Sequence, residues 1–156
     1  MNGPRVRRAL AILGAAVAFA VVAPAAAADS AYHTEKLALA AVGGAPLRSG
    51  FVLNIKANGP TIYAHEIYVL SGAVPGETYT VTNNFYFEDP DCAGTDVFPT
   101  DTAVITTGPR GNARGDVVFV PADVEGLEGV HGVIWTIRDS DDDVVYRTTC
   151  TAVTLD

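Results

Sequence analysis

The ten residues Thr78–Phe87, TYTVTNNFYF, decide how the rest of the chain is read. Tyr79, Val81, Phe85 and Phe87 fall on one side of an extended backbone, and Thr78, Thr80, Thr82 and Asn84 on the other. Successive side chains of a strand point to opposite faces. The segment therefore predicts a strand with one face in a core and one toward water, as in an antiparallel sheet covered on one side. Asn83 is the single mismatch. On the apolar face it predicts a bulge or a polar group held by hydrogen bonds.

The same grammar extends in both directions. Upstream, Phe51–Ala57 reads as a strand stopped by Asn58-Gly59-Pro60, and Thr61–Leu70 as another that ends at Ser71-Gly72. Pro75-Gly76 makes the next turn. Glu35–Val42 (EKLALAAV) is the best helical candidate, but Leu37, Leu39 and Ala41 alternate, which favours a strand. Downstream, residues 88–101 predict a loop that holds Cys92. Ala103–Thr107 predicts a strand, and Gly108-Pro109-Arg110-Gly111-Asn112 is the clearest turn. Asp116–Val120 and Val130–Arg138 follow as strands, the latter with Val133, Trp135 and Ile137 on one face. Asp139–Asp143 is a charged turn, and Val144–Leu155 predicts the last strand. Seven to eight strands at intervals of roughly ten residues point to an all-β, immunoglobulin-like β-sandwich of antiparallel strands, with a β-barrel as the alternative.

The beginning of the chain has a different character. Arg5, Arg7 and Arg8 precede an apolar run from Ala9 to Val22, then Pro24 and the small residues Ala26-Ala27-Ala28. That order is a secretory signal peptide, residues 1–28, with the cut expected after Ala28. The other reading is a retained membrane anchor, because Ala9–Ala28 is about long enough to span a bilayer. Pro24 and the alanines favour cleavage. Residues 29–156 then form one domain with a short flexible start at about 29–34, exported to the outside or loosely held at the cell envelope. Such a domain has no stable membrane insertion after signal removal, and a monomer is expected.

The chain carries 10 Lys+Arg and 18 Asp+Glu, a formal charge of −8. Removing the leader takes three arginines and no acid, so the exported part is more acidic still. Such a surface repels phosphate backbones, which excludes nucleic acid as a natural partner. The two cysteines, Cys92 and Cys150, would meet an oxidising exterior, where an even count predicts a disulfide. Closing that loop is worth about 4 kcal/mol in the chain-entropy picture.

Chemistry is sparsely signalled. His65-Glu66 is the most tempting pair, yet adjacent strand residues face opposite ways. One of them is expected to be buried and hydrogen-bonded and the other solvated. His33, His65 and His131 lack metal-ligand spacing, so no metal is expected there. The acids Asp139, Asp141, Asp142 and Asp143 lack the glycine and distal glutamate of an EF-hand, and read as a solvated hairpin tip. No G-x-S-x-G elbow or phosphate loop occurs, so no catalytic residue and no cofactor is assigned. Trp135 alternates with valine and isoleucine and reads as core. Tyr86, on the polar face of its strand, and Phe98, in a loop beside a proline, are the candidate contact residues.

Three stretches carry a resemblance: ANGPTIYAHEIYVL at 57–70, GAVPGETY at 72–79 and VYRTTCTAV at 145–153. Over most of residues 50–155 the chain resembles small secreted proteins of high-GC Gram-positive bacteria that lack an assigned activity. It also has a weaker likeness to the neocarzinostatin-type apoproteins, in a glycine-proline turn before a Tyr-x-Val strand, a Gly-Asn turn in mid-chain and a late cysteine strand. That likeness implies an exported, acidic, immunoglobulin-like carrier. The chain departs from it in being able to form one disulfide where that family has two. The leading expectation is a secreted, non-enzymatic domain acting by surface contact with a protein or glycan. The alternatives are a small-ligand carrier with a pocket at one end of the sandwich and, third, a hydrolase. A carrier needs a deep apolar pocket floored by aromatics, whereas a contact module needs a flat exposed patch and no cavity.

Overall fold

A computed structural model describes residues 33–156. The expected signal peptide, residues 1–28, and residues 29–32 of the expected flexible start lie outside the described residues. The rest of that start is not loose: His33 and Thr34 pair with Lys56 and Ile55 in the first strand.

The described chain is all-β. Its strands are β1 (His33–Ala38), β2 (Ala40–Ala41), β3 (Ser49–Lys56), β4 (Ala64–Ser71), β5 (Thr78–Tyr86), β6 (Phe98–Thr106), β7 (Ala113–Phe119), β8 (Gly129–Arg138), β9 (Val144–Arg147) and β10 (Thr151–Leu155). A single 3-10 turn, Pro121–Asp123, is the only helical element among the described residues. No described helix is long and apolar enough to cross a membrane. One sheet has the order β1-β3-β4-β7; the other runs β2-β9-β8-β5-β6, with β10 also on β8. All pairings are antiparallel, and the two sheets enclose one core.

Ten strands replace the expected seven or eight because two predicted strands are each broken. The Glu35–Val42 segment passes from one sheet to the other at Leu39, whose N–H reaches the Gly50 carbonyl. The Val144–Leu155 segment stays on one edge of β8, but its register slips by one residue between Arg147 and Thr151. Thr148 bridges the slip. Its N–H donates to the Trp135 carbonyl, and its hydroxyl accepts from the Trp135 N–H at 3.1 Å. Cys150 therefore lies just before β10 instead of within a strand. Residues 98–101, predicted as loop, are the start of β6. Pro99 is tolerated there because β6 is the edge of its sheet, where a missing N–H breaks no ladder. Conversely, residues 61–63 belong to a turn before β4, in which the Tyr63 carbonyl accepts from the N–H groups of Ala57 and Asn58.

Alternation sets the core. Tyr68 and Leu70 of β4, Tyr79 and Val81 of β5, Ile137 of β8 and Tyr146 of β9 are all buried. They fill the end of the sandwich bounded by the 72–77 and 107–112 turns. Gly111 closes that end: at φ +69° it takes a backbone conformation costly for other residues, and a side chain there would strike the Ala73 carbonyl at 2.0 Å. At the opposite end, Cys92 and Cys150 form the predicted disulfide, with Cα atoms 6.0 Å apart. It joins the β5–β6 connection to the β9–β10 link within the same sheet side, so it staples an edge and does not cross the core. Gly132 makes room for it, because a Cβ there would lie 2.6 Å from Cys92 Sγ.

Candidate functional site

At the disulfide end the two sheets part around a cavity of about 470 Å³. Its walls carry six aromatic rings: Tyr63 ahead of β4, Phe85 of β5, Phe87 just beyond it, Phe98 of β6, Phe119 of β7 and Trp135 of β8. Val117, Val133 and Leu155 fill in between, and Val124 and Leu127 of the β7–β8 connection lie over it. The rings gather because the period of two carries Phe85 onto the same face as Tyr79 and Val81. Phe87 then stacks on Phe85 at 6.2 Å and tilts against Phe98 at 5.9 Å. Phe87 and Phe98 remain 40% and 58% exposed, so they form the mouth.

One polar cluster sits in this apolar wall. Glu66 follows the inward alternation of β4 and is buried on the core face, 4% exposed, while lining the cavity. Three donors from both sheets converge on its carboxyl. Tyr68 Oη and Trp135 Nε1 donate to Oε2 at 2.5 and 2.9 Å, and Asn83 Nδ2 lies 3.1 Å from each oxygen. Burial pushes the Glu66 carboxyl above its ordinary range, and the three hydrogen bonds pull it back only in part. Burial and the neighbouring Glu66 likewise raise the Tyr68 phenol. Asn83 is the mismatch seen in the sequence, and both expected devices are present. Its amide is held by Glu66, and the β5–β6 register slips between Val81 and Thr82. The slip lets Thr102 turn inward, with Oγ1 2.8 Å from Tyr68 Oη. The Asn83 side-chain carbonyl is buried without a partner.

Charges at the edge of the cavity are already paired. Lys56 bonds Asp156 and lies 5.5 Å over the Tyr63 ring. Asp101 accepts from the Thr82 hydroxyl at 2.7 Å and from Arg138 at 2.6 Å, and the hydroxyl and the guanidinium hold its carboxyl below the usual range.

The two candidate contact residues separate. Phe98 lies at the cavity mouth; Tyr86 is paired with Gly132 on the outer run of β5 and does not line the cavity. His65-Glu66 divides as its alternation requires, Glu66 inward and His65 outward with Asp116 at 3.0 Å. His131 is buried and ties two loops together: its Nδ1 accepts from the Glu88 N–H and its Nε2 donates to the Leu127 carbonyl. His33 stands in β1, two strands from His65 and one position off the Thr34–Ile55–His65 row, so the two side chains lie on opposite faces of the sheet. The Asp139–Asp143 turn closes on itself, with Asp139 Oδ1 accepting from the N–H groups of Asp141 and Asp143, and Asp142 bonding Arg138. Among the described residues no group of three His, Cys, Asp or Glu side chains is arranged to hold a metal.

Glu66 as a cavity residue was not singled out from the sequence. Its signal was there in part: an acid and an amide at inward positions of two strands, Glu66 in line with Tyr68 and Leu70, and Asn83 in line with Tyr79 and Val81. Alternation alone does not tell which strands face each other. Among known proteins, no family model, no curated protein and no solved structure matches this chain.

Proposed function

We propose that this protein is an exported, non-enzymatic carrier that holds a small, largely apolar ligand between the sheets of an immunoglobulin-like sandwich. The observation that carries the reading is the ring-lined cavity, whose volume of about 470 Å³ falls within the range typical of small-molecule sites. Exposed Phe87 and Phe98 at the mouth give an apolar ligand a path inward. The strand order supports the immunoglobulin-like assignment, since β4 neighbours β7 across one sheet while β5 neighbours β8, and β8 neighbours β9, in the other. The apolar leader and the disulfide support export. The surface-contact reading, favoured on sequence alone, calls for a flat patch without a cavity, and the cavity weighs against it. A hydrolase needs a second free acid or a nucleophile opposite Glu66, and Asp101 is held by Thr82 and Arg138.

The test is titration of the exported protein with the neutral apolar dye Nile red, alongside a Val117→Trp variant that fills the cavity from β7. Saturable one-site binding that the variant loses, with its β-type circular dichroism intact, is the expected result. No binding to the parent protein, or equal binding to both, would overturn the carrier reading.

A further inference from the structure

The buried carboxyl makes the cavity more than an apolar hole. Glu66 is surrounded by hydrogen-bond donors, and no cation stands among its partners. A buried carboxylate without a counter-charge is costly, and hydrogen bonds from neutral donors offset that cost only in part. The cluster is also short of donors: Oε1 has a single partner, Asn83, and the carbonyl of that same amide has none. The surroundings are rich in π faces, with Phe85, Trp135 and Tyr63 on the walls and Phe87 and Phe98 at the mouth. Aromatic faces attract cations, most strongly when water is excluded.

We infer that the cavity takes a hydrophobic amine, an apolar body whose protonated nitrogen pairs with Glu66 Oε1 among the surrounding rings. This inference rests on the carrier reading and narrows it. The ligand's ammonium would supply the counter-charge and the donor that the cluster lacks, while its apolar part would replace water against Val117, Val133 and Leu155. The other ionisable groups near the site are engaged elsewhere. The lining acids Asp101 and Asp123 are exposed to water, which weakens their pull on a cation relative to buried Glu66. From β3, Lys56 is turned to Asp156; from β4, Tyr68 already donates to Glu66; from β6, Asp101 is bound to Arg138 and Thr82; and in the β7–β8 connection, Asp123 accepts from the Val120 N–H. His131 of β8 is used by Glu88 and Leu127. The net acidity of the chain also draws a cation toward the mouth and repels an anion.

Three probes of one shape separate the outcomes: naphthylmethylamine, naphthylmethanol and naphthoate. Each is titrated by calorimetry and by the fluorescence of Trp135, the single tryptophan, near neutral pH where the amine is protonated. The amine is expected to bind about tenfold or more tightly than the alcohol, and the carboxylate weakest. Glu66→Gln should erase the preference for the amine while the alcohol still binds. Equal affinity for amine and alcohol in the parent protein would overturn the inference and leave the carrier reading standing. Failure of all three probes, together with Nile red, would remove the carrier reading itself. The comparison of probes on the parent protein decides the matter even if the variant folds poorly.

Discussion

The two ends of this sandwich are built from the same strands and filled differently. At the end bounded by the 72–77 and 107–112 turns, inward positions hold Tyr68, Leu70, Tyr79, Val81, Ile137 and Tyr146, which interdigitate and exclude water. A few residues further along the same strands, inward positions hold Glu66, Phe85 and Trp135 around a cavity, with Asn83 bonded to Glu66 behind the wall. The hollow end is also the one with the disulfide, and with a buried histidine tying residue 88 to residue 127. Packing stabilises one end; a covalent staple and the His131 hydrogen bonds hold the other. A domain can keep an unfilled site if the missing contacts there are offset by constraints that leave the site open.

The most severe way to break this contrast is to remove the staple. Replacing both Cys92 and Cys150 by serine should lower stability by about 4 kcal/mol, measured by urea unfolding. The far-ultraviolet β signature should survive, because the filled end does not depend on the bridge. Loss of all structure would show that the hollow end organises the fold.

Cutting into the filled end tests its counterpart. Ile137→Ala should cost about 3 kcal/mol, because Ile137 is fully buried and its neighbours come from both sheets. A cost near that of a surface substitution would mean that this end is loosely packed.

The polar cluster should show itself as a dependence on pH. The Glu66 carboxyl is harder to ionise in the folded protein than in the unfolded chain, where it titrates near 4.5. The folded state keeps a proton that the unfolded state releases, so stability should fall as pH rises above 4.5 until the buried carboxyl ionises, and then level off. Glu66→Gln should flatten that decline. Asp101 and Asp156 act oppositely. Their carboxyls are held low, by Thr82 and Arg138 and by Lys56 respectively, so their stabilisation is present above 3.8 and is lost as pH falls below it. A parent protein whose unfolding midpoint does not change above pH 4.5 would argue against a buried acid at the cavity.

The smallest expected effect on stability is at the mouth. Phe98→Ala removes a ring that is 58% exposed and should change the unfolding free energy by about 0.5 kcal/mol or less. Nile red affinity should fall in the same variant. Tyr86→Ala, off the cavity, should leave dye binding unchanged, and equal losses at the two positions would place the contact surface elsewhere.

Much of this was legible in the residues, and the misses have physical causes. The Thr78–Phe87 alternation gives β5 nearly to the residue, and Asn83 announces both the slipped register and the buried amide. The broken strands were not legible. Leu39 and Thr148 are ordinary strand residues, and what interrupts them is the need to change sheets in one case and to shift register beside Trp135 in the other. Phe98 stood out because an aromatic beside a proline in a loop is unusual. Its place at a cavity mouth depends on Phe87, on the other side of the disulfide loop.

The sequence by itself determined the all-β character, the single staple and the faces on which side chains lie, because a period of two and the turn residues are local properties of the backbone. Only the tertiary structure decided that Glu66, Asn83 and Trp135 meet, and that space is left beside them. Which strand lies across from which is set by packing two sheets together, and no local pattern encodes it.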